Sequence, residues 1–212
     1  MQDLAPSALQ YRDKPLPRLL LLPASLRRQS HQRRLLRYFE PMIGVGCDID
    51  ILEPTDVRLP LFDQDLEQSD AVRAEVIGLH DRFSAADGLI VASPEHNGHV
   101  SAYLKNIVDW VSRLSRIDPR YEASNPFQGR PVLLASASTG WTGGILGLQN
   151  ARSIFSHLGS LVVADQICVS DAEQWVIEDD YQFDDRFADH IRDVLTRFVA
   201  LVGALKSARS SA

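Results

Sequence analysis

The sequence predicts a doubly wound α/β protein with one five-stranded parallel sheet, strand order 2-1-3-4-5, and helices on both faces. Three observations lead there. Short apolar runs of strand length recur along the chain, and each is followed by a stretch whose apolar residues repeat at helical spacing. The alternation continues from residue 18 to residue 206 with no internal repeat and no linker to split it.

Residues 18–22 (RLLLL) form a continuous apolar run, the pattern of a strand buried on both faces. Leu35, Leu36, Phe39, Met42 and Ile43 then mark one face of a helix. Residues 48–52 give the second strand, closed by Pro54, and the acids and prolines of 54–68 have no period and predict a loop. Val72, Val76, Leu79 and Phe83 share the next helix face, and 88–92 (GLIVA) is the third strand. Leu104, Ile107, Val108, Val111 and Leu114 make the third helix, followed by a loop over 115–129. The fourth strand is 131–137, and Leu148, Ala151, Phe155 and Leu158 line the helix after it. A fifth strand, 161–169, leads through an acidic loop to a last helix with Phe187, Ile191, Val194, Phe198, Leu201 and Leu205 on one face and Asp184 as N-cap. Right-handed crossovers between parallel strands give the flavodoxin-like winding, whose ligand crevice opens where the first and third strands diverge.

The 212 residues suit a single domain over 18–206, with 1–17 an arm or a strap on a partner subunit and 207–212 a frayed tail. The N-terminal stretch lacks the apolar core of a secretory signal, and no run approaches the ~18 apolar residues of a membrane span. A net charge of -6 and dispersed arginines argue against nucleic acid as a partner. Cys47 and Cys168 are too few for a disulfide scaffold or a zinc site, so they are expected to be reduced and buried, in a cytoplasmic protein.

The loops after strands one, three and four leave the sheet at one edge, and they are the unusual ones. The first, 23–32, brings Ser25, Arg27 and Ser30 to a helix start, where free N–H groups and a guanidinium suit a phosphate. A serine N-cap beside solvated arginines is the plainer alternative. In the second, Pro94, Glu95, His96 and Asn97 precede a glycine, a turn whose main chain suits the hydrogen-bonding edge of a planar heterocycle. His96 and His99 would form a metal pair only with a third ligand that the neighbouring sequence does not supply. In the third, Ser138, Thr139, Gly140 and Gly143 combine hydroxyl donors with backbone that can approach a ligand closely, and Trp141 is a ring wall, a subunit contact or a packing residue. No GxGxxG follows the first strand, and neither a phosphate-binding GxxxxGK[ST] nor a GxSxG elbow occurs.

Taken in order, the loops resemble those of the NADPH-dependent FMN reductase family, which includes azo-, quinone- and chromate-reducing flavoproteins. The matching residues are Ser25, Arg27 and Ser30; Pro94, Glu95 and Asn97; Leu104, Lys105, Asn106, Asp109 and Trp110; Gly140, Gly143 and Gly144; and Pro60-Leu61-Phe62 with Asp65. Ala24, Gln32 and His96 stand where the family has glycine, asparagine and tyrosine. The resemblance implies FMN as cofactor and NAD(P)H as co-substrate. The flavin phosphate would lie at Ser25, Arg27 and Ser30, with Gln32 also among the cofactor-binding residues, and the ring against Pro94, Glu95, His96 and Asn97 and against Ser138, Thr139, Gly140 and Gly143. It further implies hydride transfer to a quinone, azo, metal-oxyanion or flavin acceptor with ping-pong kinetics and no catalytic acid or base. A homodimer or homotetramer is implied too, with the helix carrying Lys105 to Trp110 near the subunit contact. The rival readings are a flavodoxin-type electron carrier and a flavin-free scaffold of the same fold.

Overall fold

Strands β1 (Arg18–Pro23), β2 (Asp48–Ile51), β3 (Gly88–Ala92), β4 (Pro131–Ala137) and β5 (Leu161–Val169) pair in parallel in the order β2-β1-β3-β4-β5. The computed structural model describes residues 16–210 other than Val45. Helices α1 (His31–Ile43), α2 (Asp70–Ala85), α3 (Ala102–Ile117), α4 (Ile145–His157) and α5 (Asp185–Arg209) follow the strands in turn. This is the winding and order that the alternation predicts.

The leucine run of β1 serves two cores because successive side chains of a strand point to opposite faces. Leu19 and Leu21 join Ile90 and Leu133 under Leu36, Phe39, Val194 and Phe198 of α1 and α5. Leu20 and Leu22 join Val91 and Leu134 under Phe83, Leu104, Ile107 and Phe155 of α2, α3 and α4. With both faces covered, the sheet leaves only the strand ends for chemistry. Gly88 lets α5 approach closely, since a Cβ there would lie 2.7 Å from Val202 Cγ2. Asp184 caps α5 by accepting from Phe187 N–H at 2.8 Å, as expected.

The irregular stretches hold more structure than their patterns announce. The 54–68 loop contains 3-10 turns at Pro54–Asp56 and Gln64–Gln68, and a third at Pro119–Tyr121 follows α3. The acidic stretch after β5 folds into a 3-10 turn, Ala172–Trp175, and a hairpin of β6 (Val176–Ile177) and β7 (Asp180–Tyr181). Its turn residues Glu178 and Asp179 have φ of 50° and 73°, a type I′ turn without the usual Asn-Gly signal. Arg34 holds it, donating Nε–H to Asp179 O at 2.6 Å and pairing with the Asp179 carboxylate. Helix α5 continues to Arg209, past the boundary expected at 206, and the Arg209 guanidinium donates to Gly129 O. At the other end Lys206 Nζ donates to Leu16 O at 2.9 Å and Asp48 N–H to Pro17 O at 2.9 Å, tying those two residues to the body. Residues 1–15 of the expected arm and 211–212 of the expected tail lie outside the described residues.

Candidate functional site

Side-chain and backbone ties join the three loops at the C-terminal edge of β1, β3 and β4. Ala24, fully buried, donates its N–H to Ala92 O at 2.8 Å. Its carbonyl accepts from Ser101 Oγ–H at 2.7 Å, and that serine Oγ in turn accepts from Leu104 N–H at 3.1 Å to cap α3. Loop one is thereby fastened to loop two. Glu95 reaches across to α4, where its Oε2 accepts from Gly147 N–H at 3.1 Å. It supplies the negative charge that the helix start favours and that its N-cap, Gly144, has no side chain to offer. Loop two is thereby fastened to loop three. Gln32, at the start of α1, closes the triangle. Its Nε2 donates to Ala137 O at 2.7 Å and its Oε1 accepts from Ala137 N–H at 3.1 Å.

The first loop shows the serine N-cap and exposed arginine of the plainer alternative, with free backbone donors beside them. Ser30 is the N-cap of α1, accepting from Gln32 N–H at 3.2 Å and Arg33 N–H at 3.4 Å. Ser25 Oγ accepts from Arg27 N–H at 3.3 Å, and the Arg27 side chain is exposed. The N–H groups of Leu26, Arg28, Gln29 and His31 have no acceptor among the described residues. Backbone donors at a helix start with arginine alongside are a donor set for a phosphate monoester.

The second loop is a tight hairpin. His96 N–H donates to His99 O at 2.9 Å and His99 N–H to His96 O at 3.1 Å, with Asn97 and Gly98 at φ of 52° and 74°. This is a type I′ Asn-Gly turn, and it leaves the Asn97 and Gly98 N–H groups without acceptors among the described residues. Pro94 and Glu95 are half-buried, and His96 and Asn97 are exposed. The third loop lies on the segment after β5. Ser138 N–H donates to Val169 O at 2.9 Å, Ala172 N–H to Ser138 O at 2.9 Å and Asp171 N–H to Gly140 O at 3.3 Å. Ser138 Oγ accepts from Gly140 N–H at 3.1 Å. Gly143, at φ 63°, packs so closely that a Cβ would lie 3.1 Å from Ser170 N. Thr139 and Gly140 face solvent, and the Thr139 and Trp141 N–H groups have no acceptor among the described residues. Trp141 is 83% exposed, which removes the packing role and leaves a ring wall or a subunit contact.

Helix α3 commits several of the residues matched to the family to contacts within its own chain. Trp110 is fully buried and its Nε1–H donates to Pro60 O at 2.9 Å, which also accepts from Asn106 Nδ2 at 2.9 Å. Phe62 N–H returns a bond to Asn106 Oδ1 at 2.7 Å, and the Phe62 ring meets Trp110 edge-on. Asn106 and Trp110 therefore clasp the 60–62 loop of their own chain. Arg113 donates to Glu67 at 2.7 Å, so its charge is spent there. Lys105 is exposed and pairs with the half-buried Asp109 at 2.7 Å. Arg113 and Arg116 line a groove of about 560 Å³ between α3 and α4 with Lys105, Asp109 and His157; none of the three loops lines it. Sequence reasoning also passed over Ser101 and Tyr103, although a serine just before an apolar-periodic run is an N-cap signal. The Tyr103 hydroxyl is buried without a hydrogen-bond partner among the described residues, and burial pushes its pKa up to about 12, aided by Asp56 and opposed by Arg82.

Residues 17–174 match the model of the family described as NADPH-dependent FMN reductase. A quinone reductase of Escherichia coli (strain K12) is 30% identical over 145 residues, 68% of this chain and 72% of the relative. An NADPH:quinone oxidoreductase of Arabidopsis thaliana is 33% identical over 132 residues, 62% of this chain and 63% of the relative. Among solved structures, the flavoenzyme NAD(P)H:(acceptor) oxidoreductase FerB of Paracoccus denitrificans superposes with a TM-score of 0.74 at 20% identity, covering 89% of this chain and 98% of that one. An NADH:FMN oxidoreductase in its apo form gives a TM-score of 0.62 at 17% identity, over 87% and 89% of the two chains.

Proposed function

Because the chain belongs to the NADPH-dependent FMN reductase family, we propose that it passes hydride from NAD(P)H through FMN to a small acceptor of the quinone class. It is an oxidoreductase, and FMN and NAD(P)H are its cofactor and co-substrate. One observation carries the assignment of the site. At a single sheet edge, backbone N–H groups without acceptors among the described residues gather at the start of α1 and again on the turns after β3 and β4.

The first set suits the phosphate, with Ser25, Arg27 and Ser30 around it. Ser30 already caps the helix, so its hydroxyl can serve the phosphate only as a donor. The second set suits the pyrimidine edge of the ring, beside Pro94, Glu95, His96 and Asn97 on one side and Ser138, Thr139, Gly140 and Gly143 on the other. Gln32 serves this site through the peptide it holds. When bound, FMN supplies the centre that accepts and returns hydride. The chain's own residues bind and orient, and fixed N–H groups favour negative charge on the reduced ring without reorganising. No side chain is needed as proton donor.

Nicotinamide and acceptor use the same crevice in turn, which predicts ping-pong kinetics. Azo compounds, metal oxyanions and free flavin are further acceptors that such an edge admits. The exposed Trp141, Ile145 and Leu146 at that edge favour a second copy of the chain as neighbour, hence a homodimer or homotetramer. The unpaired Cys47 and Cys168 suit the cytoplasm, and among the described residues no helix is long and apolar enough to cross a membrane. The test is uptake of FMN by the purified protein. A yellow protein with one FMN per chain after removal of excess is the expected result, and a colourless one overturns the assignment.

A further inference from the structure

We propose that Gln32 is a positioning residue, whose side-chain amide takes the place of a missing strand to fix where β4 ends and the flavin-facing third loop begins. The inference rests on the proposed flavin site. In a parallel ladder, alternate residues of a strand turn their peptide groups to the same neighbour. Ser93 N–H donates to Ala135 O at 2.9 Å, so Ala135 addresses β3 and Ala137 is the next residue of β4 to do so. Ser138 addresses the other side, donating to Val169 O at 2.9 Å.

At Ala137 the neighbour is gone. The ladder would next offer it Ser93 O and Glu95 N–H, but neither bonds Ala137, because the chain turns at Pro94 towards the hairpin of loop two. The peptide groups of Ala137 are buried, and left alone they would lack both partners at the root of the third loop. Gln32 supplies both, donor and acceptor, from a side chain only 2% exposed. A primary amide is the side chain that can offer an N–H and a C=O together, as a peptide does. The asparagine that the family resemblance would place here is one methylene shorter.

The consequence is directional. Ala137 is covalently joined to Ser138, and the peptide plane between them is rigid. Holding Ala137 N–H and C=O from α1 therefore sets the direction in which Ser138, Thr139 and Gly140 leave the sheet. It couples the helix whose start suits the phosphate to the loop that suits the ring.

The test uses Gln32→Leu, which removes both bonds at similar volume, and Gln32→Glu, which keeps the acceptor but sets a carboxylate oxygen against Ala137 O. Should the leucine variant fail to fold, the glutamate variant carries the experiment. Amide exchange across residues 137–140 is measured without flavin, FMN affinity by quenching of flavin fluorescence, and the flavin midpoint potential in the loaded protein. Expected are faster exchange at Ser138 to Gly140, FMN affinity weaker by ~10-fold or more, and a shifted midpoint potential, with circular dichroism unchanged. Affinity and potential equal to wild type overturn the proposal, including where exchange alone rises, which marks a structural tie only. Wild-type protein that takes up no FMN overturns the proposed function together with this inference, so the two failures are told apart.

Discussion

Gly144 sits at φ 85°, and a Cβ built on it would collide with Ser136 Oγ. A left-handed backbone costs a residue with a side chain roughly 1–2 kcal/mol, and overpacking adds about 1–3 kcal/mol. Gly144→Ala is therefore expected to lower stability by roughly 2–5 kcal/mol in denaturant melts. Gly98→Ala, at φ 74° with nothing within 4 Å, bears the backbone cost alone and should lose less. A second residue-scale expectation concerns His80, which is buried, with Nε2 2.9 Å from Ser124 Oγ. Burial lowers its pKa, partly opposed by Asp81, and His31 is lowered too, by burial and then by Arg34 and Arg27. The unfolded chain thus binds protons more readily than the folded one, so stability is full above about pH 6.5 and declines as pH falls below it. Urea melts between neutral and mildly acid pH should show that decline, and His80→Gln should reduce it. Not every residue role was legible in the sequence. Closely packed glycines in the third loop follow from composition, whereas the partner of Gln32 lies 105 residues away and leaves no local trace.

Among the elements, helix starts carry much of the site. Ser69 and Ser101 both cap helices, yet only Ser101 also donates to a loop carbonyl, at Ala24. Loss of an N-cap costs about 1 kcal/mol, and an unsatisfied buried carbonyl about 1–3 kcal/mol more. Ser101→Ala should therefore destabilise more than Ser69→Ala, and it alone should also weaken FMN binding, because it frees loop one from loop two. Thermal melts and flavin titration of the two variants check both halves. The five strands of the main sheet and the five main helices were legible, since the strands are apolar or, like β2, alternating runs and each helix carries a periodic stripe. The β6–β7 hairpin was not, because Glu178 and Asp179 take left-handed conformations through a tertiary contact from Arg34 rather than through turn residues. The inward commitment of Asn106 was hidden for a similar reason: periodicity places it away from the apolar stripe, and only the path of the 60–62 loop brings Pro60 O to it.

Across the whole molecule, the sheet spends both faces on its cores and leaves one edge open. Three ties, from Ser101, Glu95 and Gln32, hold the loops at that edge so that their remaining backbone donors converge on it. That arrangement is the donor set of the proposed anion and heterocycle site, and family membership identifies the cofactor as FMN. The central claim is hydride transfer from NAD(P)H through that flavin to a small acceptor. It is tested most directly by mixing the FMN-loaded protein with NADPH in the absence of oxygen and following the oxidised-flavin absorption band. The account predicts that the band bleaches rapidly and returns when a quinone is added; a band that stays unchanged after NADPH contradicts it.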